Sequence, residues 1–324
     1  MTAGNALLRL RVAHRRQEAN DIVSLELVDP AGAPLPAFSA GAHVDLHLPG
    51  GFVRQYSLCN APAERHRYVV AVLRDPASRG GSAALHAQVN ADDLLDVGLP
   101  RNLFPLVAGD HHSLLFGGGI GITPMLAMAE QLAAEGASFD LHYSARSREH
   151  AAFAARLGEC AYADRVGLHF SHGSDAQRLD IAAVLAAAPA GTHVYACGPQ
   201  RYLDAVIAAA QAAGIDAARL HHEHFGSAAA EARDGDAPFE LECLRSGRVV
   251  TVRRDQTAAA ALAEAGIELP LSCEQGVCGT CLVPVLAGQP DHRDLYLSPA
   301  EQAASNRFTP CCSRARTARL VIDL

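Results

Sequence analysis

Four cysteines near the end of the chain constrain its fold more than any other feature. Three stand in one short run, Cys273-Glu-Gln-Gly-Val-Cys278-Gly-Thr-Cys281, and Cys311 follows after a long gap. The Cys-x4-Cys-x2-Cys…Cys spacing is the plant-type ligand set of a [2Fe–2S] cluster. Three thiolates from one loop reach two irons only if the backbone wraps tightly, and Gly276, Gly279 and Thr280 supply residues without bulk. Backbone N–H groups then face the inorganic sulfurs and stabilise their charge. A structural zinc site usually pairs two short cysteine hooks, and here the second hook is missing. A disulfide framework belongs to secreted chains, and the N-terminal stretch Met1 to Leu10 lacks the apolar core of a leader peptide. Cys311 and Cys312 are adjacent. The loop spacing favours Cys311 as the fourth ligand and Cys312 as a buried thiol, with the reverse assignment still open.

A length of 324 residues suggests two or three domains. No apolar run reaches bilayer length, so the expectation is a soluble, cytoplasmic protein with no membrane partner. In a reducing compartment its nine cysteines are thiols or metal ligands. A net charge of −8 disfavours nucleic acid as a partner. Every side-chain cation other than histidine is an arginine, the better phosphate fork.

The first hundred residues read as all-β. Leu8 to Val12, Ile22 to Val28 and His43 to Leu48 alternate, and Tyr68 to Leu73 is a buried-type run. Short strands separated by proline and glycine suggest a small antiparallel barrel, with a helix between Gly81 and Asn90. Arg54-Gln-Tyr56-Ser57-Leu58 puts a guanidinium and a phenol on one strand face, which suits a phosphorylated planar ring. An edge strand with an exposed arginine has the same pattern. Arg79-Gly80-Gly81-Ser82 runs into the helix and makes either an anion site or an ordinary cap turn. Together the two stretches describe a phosphate-bearing flavin site.

From Leu114 the pattern becomes strand, glycine turn, helix. Leu114 to Phe116 leads into Gly117-Gly-Gly-Ile-Gly-Ile-Thr-Pro124 and an apolar-periodic segment from Met125 to Glu135. Thr123-Pro124 is helix-start chemistry. Strands at Phe139 to Tyr143, Val166 to Phe170 and His193 to Ala196 alternate with alanine-rich helices near 148–160, 180–188 and 200–213, which predicts a parallel, doubly wound sheet. Ser144 to Arg148 and Cys197-Gly198-Pro199 fall at strand ends, where such sheets bind ligands. Arg146 and Arg148 are either nucleotide contacts or solvated loop residues, and Cys197 is either a pocket rim or a buried thiol. In His221-His-Glu-His-Phe225, neighbouring histidines point to opposite faces, so His222 and His224 at most converge and no third metal ligand is in view. Phe225 is a candidate to pack on the flavin. Gly226 to Pro238 reads as a linker. Strands at Phe239 to Leu244, Arg248 to Val252 and Ala318 to Leu324, with a helix from Thr257 to Ala265, make a compact α+β module around the cysteines.

These motifs, in this order and over the whole chain, resemble the phthalate dioxygenase reductase family. The resemblance implies an FMN-binding antiparallel β-barrel over 1–106, an α/β doubly wound NAD-binding domain over 107–226, a linker over 227–237 and an α+β plant-type [2Fe–2S] ferredoxin domain over 238–324. By the same likeness Arg54, Tyr56 and Ser57 hold FMN, and Gly80, Gly81 and Ser82 cradle its phosphate. Gly119, Thr123, Ser144, Arg146 and Cys197 lie along NADH, Phe225 covers the flavin, and Cys273, Cys278, Cys281 and Cys311 hold the cluster. Relatives with other cofactor loops use FAD, and the Arg-Gly-Gly-Ser turn favours FMN. NADH over NADPH is the family expectation, although Arg146 and Arg148 also suit a 2′-phosphate. The implied activity is that of the reductase component of a Rieske-type aromatic oxygenase or O-demethylase system, with no Ser/His/Asp catalytic set. A reductase for another monooxygenase or soluble carrier, and a redox sensor without turnover, are the rival readings.

Overall fold

The computed structural model describes residues 7–76, 80–172, 177–225, 235–271, 276, 279–294 and 296–324. Arg79, Cys273, Cys278 and most of the linker expected over 227–237 lie outside the described residues. The chain divides into two compact units, Met1–Phe225 and Gly226–Leu324.

The first unit opens with strands β1 (Leu7–Ala19), β2 (Ile22–Val28), β3 (Ala42–Leu48), β4 (Phe52–Ser57) and β5 (Tyr68–Leu73). Helix α1 (Gly81–Gln88) and strands β6 (Leu94–Gly98) and β7 (Arg101–Asn102) follow. Pairing runs β4-β3-β6-β1-β2-β5, with β7 on β3, and a bridge between Leu58 and Val70 joins the two ends into a barrel. Alternation explains the wall. Leu10 and Val12 are buried inside, while Arg9 and Arg11 point out to Asp96 and Asp92 at 2.9 and 3.0 Å. β1 runs well past Val12, through a polar stretch, because β2 pairs with it as far as Ala19 and the register shifts twice. No alternation marks that extension, so the strand expected over Leu8 to Val12 is longer in the structure.

The same unit continues with β8 (Ser113–Gly118), α2 (Ile122–Ala134), β9 (Phe139–Ala145), α3 (Ala154–Glu159) and β10 (Val166–Phe170). It closes with α4 (Ile181–Ala187), β11 (His193–Gly198), α5 (Gln200–Ala212) and β12 (Leu220–His224). The sheet is parallel, in order β10-β9-β8-β11-β12. Its direction of travel reverses between β8 and β11, and a crevice at the carboxyl ends of those strands is the topological consequence. β8 serves both faces: Leu115 packs with α2, and Leu114 and Phe116 pack with α4 and α5. Met125, Met128 and Ala129 of α2 share a core with Ile22, Cys59, Val69 and Ala71 of the barrel wall. The expected helix start is observed: α2 begins at Ile122 with Thr123-Pro124 in its first turn, and the Thr123 hydroxyl donates to the Ile120 carbonyl at 3.0 Å. One expectation is corrected. The helix expected near 148–160 is a 3-10 turn followed by α3, because Phe153 takes a left-handed backbone (φ 61°) between them.

The second unit comprises β13 (Phe239–Cys243), β14 (Arg248–Val252), α6 (Ala258–Glu264), β15 (Val283–Ala287) and β16 (Pro290–Asp291). It ends with α7 (Pro299–Ala304), β17 (Arg307–Phe308), β18 (Arg314–Ala315) and β19 (Arg319–Ile322). Its main sheet runs β14-β13-β19-β15-β17, with β13 and β19 parallel, and α6 packs Ala258, Ala261 and Leu262 against it. The Thr257 hydroxyl accepts from the Ala260 N–H and starts that helix. Two buried arginines tie the module together. Arg293 forks Asp236 and Asp291, and Arg314 donates to the carbonyls of Ala237, Arg253 and Gln256. No helix among the described residues is long and apolar enough to cross a membrane.

Candidate cofactor sites

In the barrel, β4 carries Arg54 towards the start of α1. A Cβ added to Gly81 would lie 2.9 Å from both Cγ and Nε of Arg54, so the glycine is what lets the guanidinium cross the helix start. That guanidinium stands 5.4 Å from the centre of the Phe52 ring and donates to the Val53 carbonyl at 2.8 Å. Gly80 caps α1 in the left-handed region (φ 95°), a conformation that favours glycine. The buried Ser82 hydroxyl accepts from the Asp75 N–H at 3.3 Å. A fixed cation and the N-terminus of an eight-residue helix therefore meet at one point, an arrangement suited to a phosphate. Tyr56 is next to it. Burial pushes its phenol up to about 12, and the Arg54 charge pulls the other way.

At the end of β4 the barrel meets the crevice of the parallel sheet. Ser57 is buried there. Cys197 and Glu223 are register partners on β11 and β12. Burial pushes the Glu223 carboxyl up to about 8, against the pull of its hydrogen bond with Ser57. Its Oε2 is buried and has no hydrogen-bond partner among the described residues. Burial, and then the nearby Glu223, push the Cys197 thiol well up. In the sequence Ser57 and Cys197 each belong to a separate local motif, and Glu223 stands inside a histidine run. Its local signal was a carboxylate between two strand residues near the switch point; its partners are far away in sequence.

The floor of the crevice is glycine. A Cβ on Gly121 would run into the Cys197 carbonyl, whereas one on Gly119 would meet nothing within 4 Å. The Gly119 backbone therefore faces open space at the helix start. The hydroxyls of Ser144 and Tyr202 are buried together at this end of the sheet, close enough for one to hydrogen-bond the other. Arg146 is exposed after β9, and Phe225, 36% exposed, follows β12. The histidines do other work. His221 stacks on Tyr195 with its Nε2 3.0 Å from His193 Nδ1, and the rings of His222 and His224 are 5.1 Å apart.

In the second unit the sulfurs of Cys281 and Cys311 lie 3.2 Å apart, both buried, beside Ala259 and Leu269. Cys312 directs its sulfur to Thr309 Oγ1 at 3.5 Å and Ser313 Oγ at 3.8 Å. The hydrogen bond with Cys281 and then that with Cys312 hold the Cys311 thiol above the usual range. Two crowded, converging sulfurs fit a site where a metal replaces their protons. Gly279 shows how tightly the loop is covered: its φ is 68°, and a Cβ there would collide with the Tyr296 ring.

Residues 241–316 match the 2Fe-2S iron-sulfur cluster binding domain family, and residues 100–220 match the N-terminal domain of dimethylamine monooxygenase subunit DmmA-like proteins. The chain is similar to a vanillate O-demethylase oxidoreductase of a Pseudomonas species, 49% identical over 98% of this chain and 100% of that one. It is 40% identical to the phthalate dioxygenase reductase of Burkholderia cepacia, over 99% and 98% of the two chains. A solved phthalate dioxygenase reductase, described as a modular structure for electron transfer from pyridine nucleotides to [2Fe–2S], superposes with a TM-score of 0.79 at 39% identity, covering 98% of each chain.

Proposed function

Because this chain belongs to the phthalate dioxygenase reductase family, we propose that it is the NADH-dependent reductase component of a Rieske-type aromatic oxygenase or O-demethylase system, working in the cytoplasm. The observation that carries the proposal is the meeting of Ser57, Cys197 and Glu223 where the barrel joins the switch point of the sheet. Bound here, FMN would supply hydride acceptance and single-electron release, and a [2Fe–2S] cluster would supply one-electron transfer near about −400 mV, below a Rieske centre.

The chain's own residues bind, orient and seal. Arg54 and the start of α1 fix the FMN phosphate, with Gly80, Gly81 and Ser82 forming its cradle, and Tyr56 lies along the ring system. Gly119 and the α2 N-terminus take the NADH pyrophosphate, Thr123 shapes that turn, and Ser144 and Arg146 reach the adenosine half. Cys197 closes the nicotinamide end and Phe225 covers the flavin. Cys273, Cys278, Cys281 and Cys311 hold the cluster. The functional boundaries in this proposal are flavin barrel 1–106, nucleotide domain 107–226, linker 227–237 and cluster module 238–324.

NADH-dependent reduction of cytochrome c by cofactor-loaded protein tests the proposal, and absence of turnover would remove it. Arg54→Ala is expected to weaken FMN retention by about 1.5–3 kcal/mol, roughly tenfold to a hundredfold, because a charge-assisted phosphate contact is lost. Equilibrium dialysis measures this, and unchanged occupancy would place the phosphate elsewhere. Glu223 gives a pH dependence. Its carboxyl is pushed up to about 8 by burial, so it is neutral and able to donate a hydrogen bond below that pH, and it ionises above it. Burying it costs stability increasingly as pH rises from the ordinary carboxylate range through about 8. Stopped-flow flavin reduction is expected to change above about pH 8 in the native chain and to lose that limb in Glu223→Gln. A limb that persists in the variant would assign it to another group.

A further inference from the structure

Behind the cysteine pair of the second unit lies a carboxylate with no part in the sites above. Asp294 has no exposed side-chain surface. Its Oδ2 accepts from the Leu297 N–H at 2.8 Å, and its Oδ1 faces the hydroxyls of Thr309 at 3.1 Å and Ser313 at 3.2 Å. Those two hydroxyls are 2.7 Å apart and bracket Cys311 and Cys312 in sequence. On its other side Asp294 meets the cysteine loop. A Cβ on Gly276 would lie 3.0 Å from Asp294 Cα and would run into the Cys312 sulfur. One residue thus touches both segments that bring cysteines together.

No arginine among the described residues pairs with this carboxylate. Arg293, its chain neighbour, turns to Asp236 and Asp291, and the nearest ionisable partner is His292, with Nδ1 at 3.4 Å from Oδ1. A buried negative charge acts strongly on nearby charge because little solvent screens it. Adding an electron to a cluster adds negative charge to the same enclosed region.

Resting on the cluster reading above, we infer that Asp294 is a positioning residue for the [2Fe–2S] site whose hydrogen bonds hold the Cys311 turn against the cysteine loop and whose charge lowers the cluster's reduction potential. The first role follows from the contacts and the second from the sign of the charge. The two are separable. Asparagine keeps the size and the hydrogen bonds: its carbonyl takes the Leu297 N–H, and its amide donates to hydroxyls that rotate to accept. It removes only the charge.

The experiment uses the full, cofactor-loaded chain and its Asp294→Asn variant, with iron and sulfide content, visible spectrum and an EPR-monitored redox titration. Expected is an unchanged iron content and spectrum, with the ratio of reduced to oxidised cluster rising about tenfold at a fixed poise, an upward shift of about 59 mV. An intact cluster at the native potential overturns the inference, and so does loss of the cluster, which would make the residue a structural prop alone. Thr309→Val deletes a hydrogen bond and leaves the charge, so it is expected to hold the cluster less firmly at the native potential. A rise equal to that of Asp294→Asn would assign the effect to hydrogen bonding and overturn the electrostatic claim. Native protein without iron would remove the cluster reading itself.

Discussion

Cys281→Ser is expected to abolish cytochrome c reduction while NADH still bleaches the flavin. Cys281 and Cys311 bring their sulfurs to 3.2 Å in a buried pocket, so serine there removes one of two converging donors. Loss of an outer-sphere partner already costs roughly 10–100-fold in metal affinity, and loss of a direct ligand is expected to exceed about 100-fold. The residues proposed for flavin and nucleotide all belong to Met1–Phe225, and the thiols proposed for the cluster to Gly226–Leu324. Damage to the second unit therefore leaves the hydride step in place. Anaerobic mixing with NADH, followed through the flavin and then through cytochrome c, reads both halves. Loss of flavin bleaching in the variant would contradict the division of labour.

The next largest effect is expected from Arg293→Ala. The guanidinium is 5% exposed and is the common partner of Asp236 and Asp291, and Asp236 also lies 3.8 Å from Arg314. Deleting one member of a buried network leaves uncompensated carboxylates, a loss of about 3–5 kcal/mol. In a unit of this size each kcal/mol moves the midpoint by about 4–8 °C, so the cluster chromophore is expected to melt more than about 10 °C earlier. A shift of only a degree or two would show that solvent replaces the pair.

What was legible in the sequence was local. The cysteine spacing is readable because three of the cysteines stand in one short run of sequence, and Ile22–Val28 and Tyr68–Leu73 are readable because alternation or a buried run marks each strand. Fold class and element order followed from the same signals. Features that depend on distant partners were not legible. The polar second half of β1 is a strand only because β2 lies beside it. The strand order that places Gly121 against Cys197 is a property of topology, and Glu223 acquires its environment from Ser57, brought in from the barrel. Thr123-Pro124 was also legible, because proline suits a first helical turn, and both residues fall in the first turn of α2. Asp294 gave no sequence signal, since its burial comes from three separate segments.

The central claim, that one chain joins a phosphate-anchored flavin to a four-thiolate iron–sulfur site, is tested most directly by cofactor analysis of denatured protein. The account expects a flavin with the mass of FMN, together with iron and acid-labile sulfide in equal amounts, two of each per chain. Zinc in place of iron, or no flavin, would contradict it.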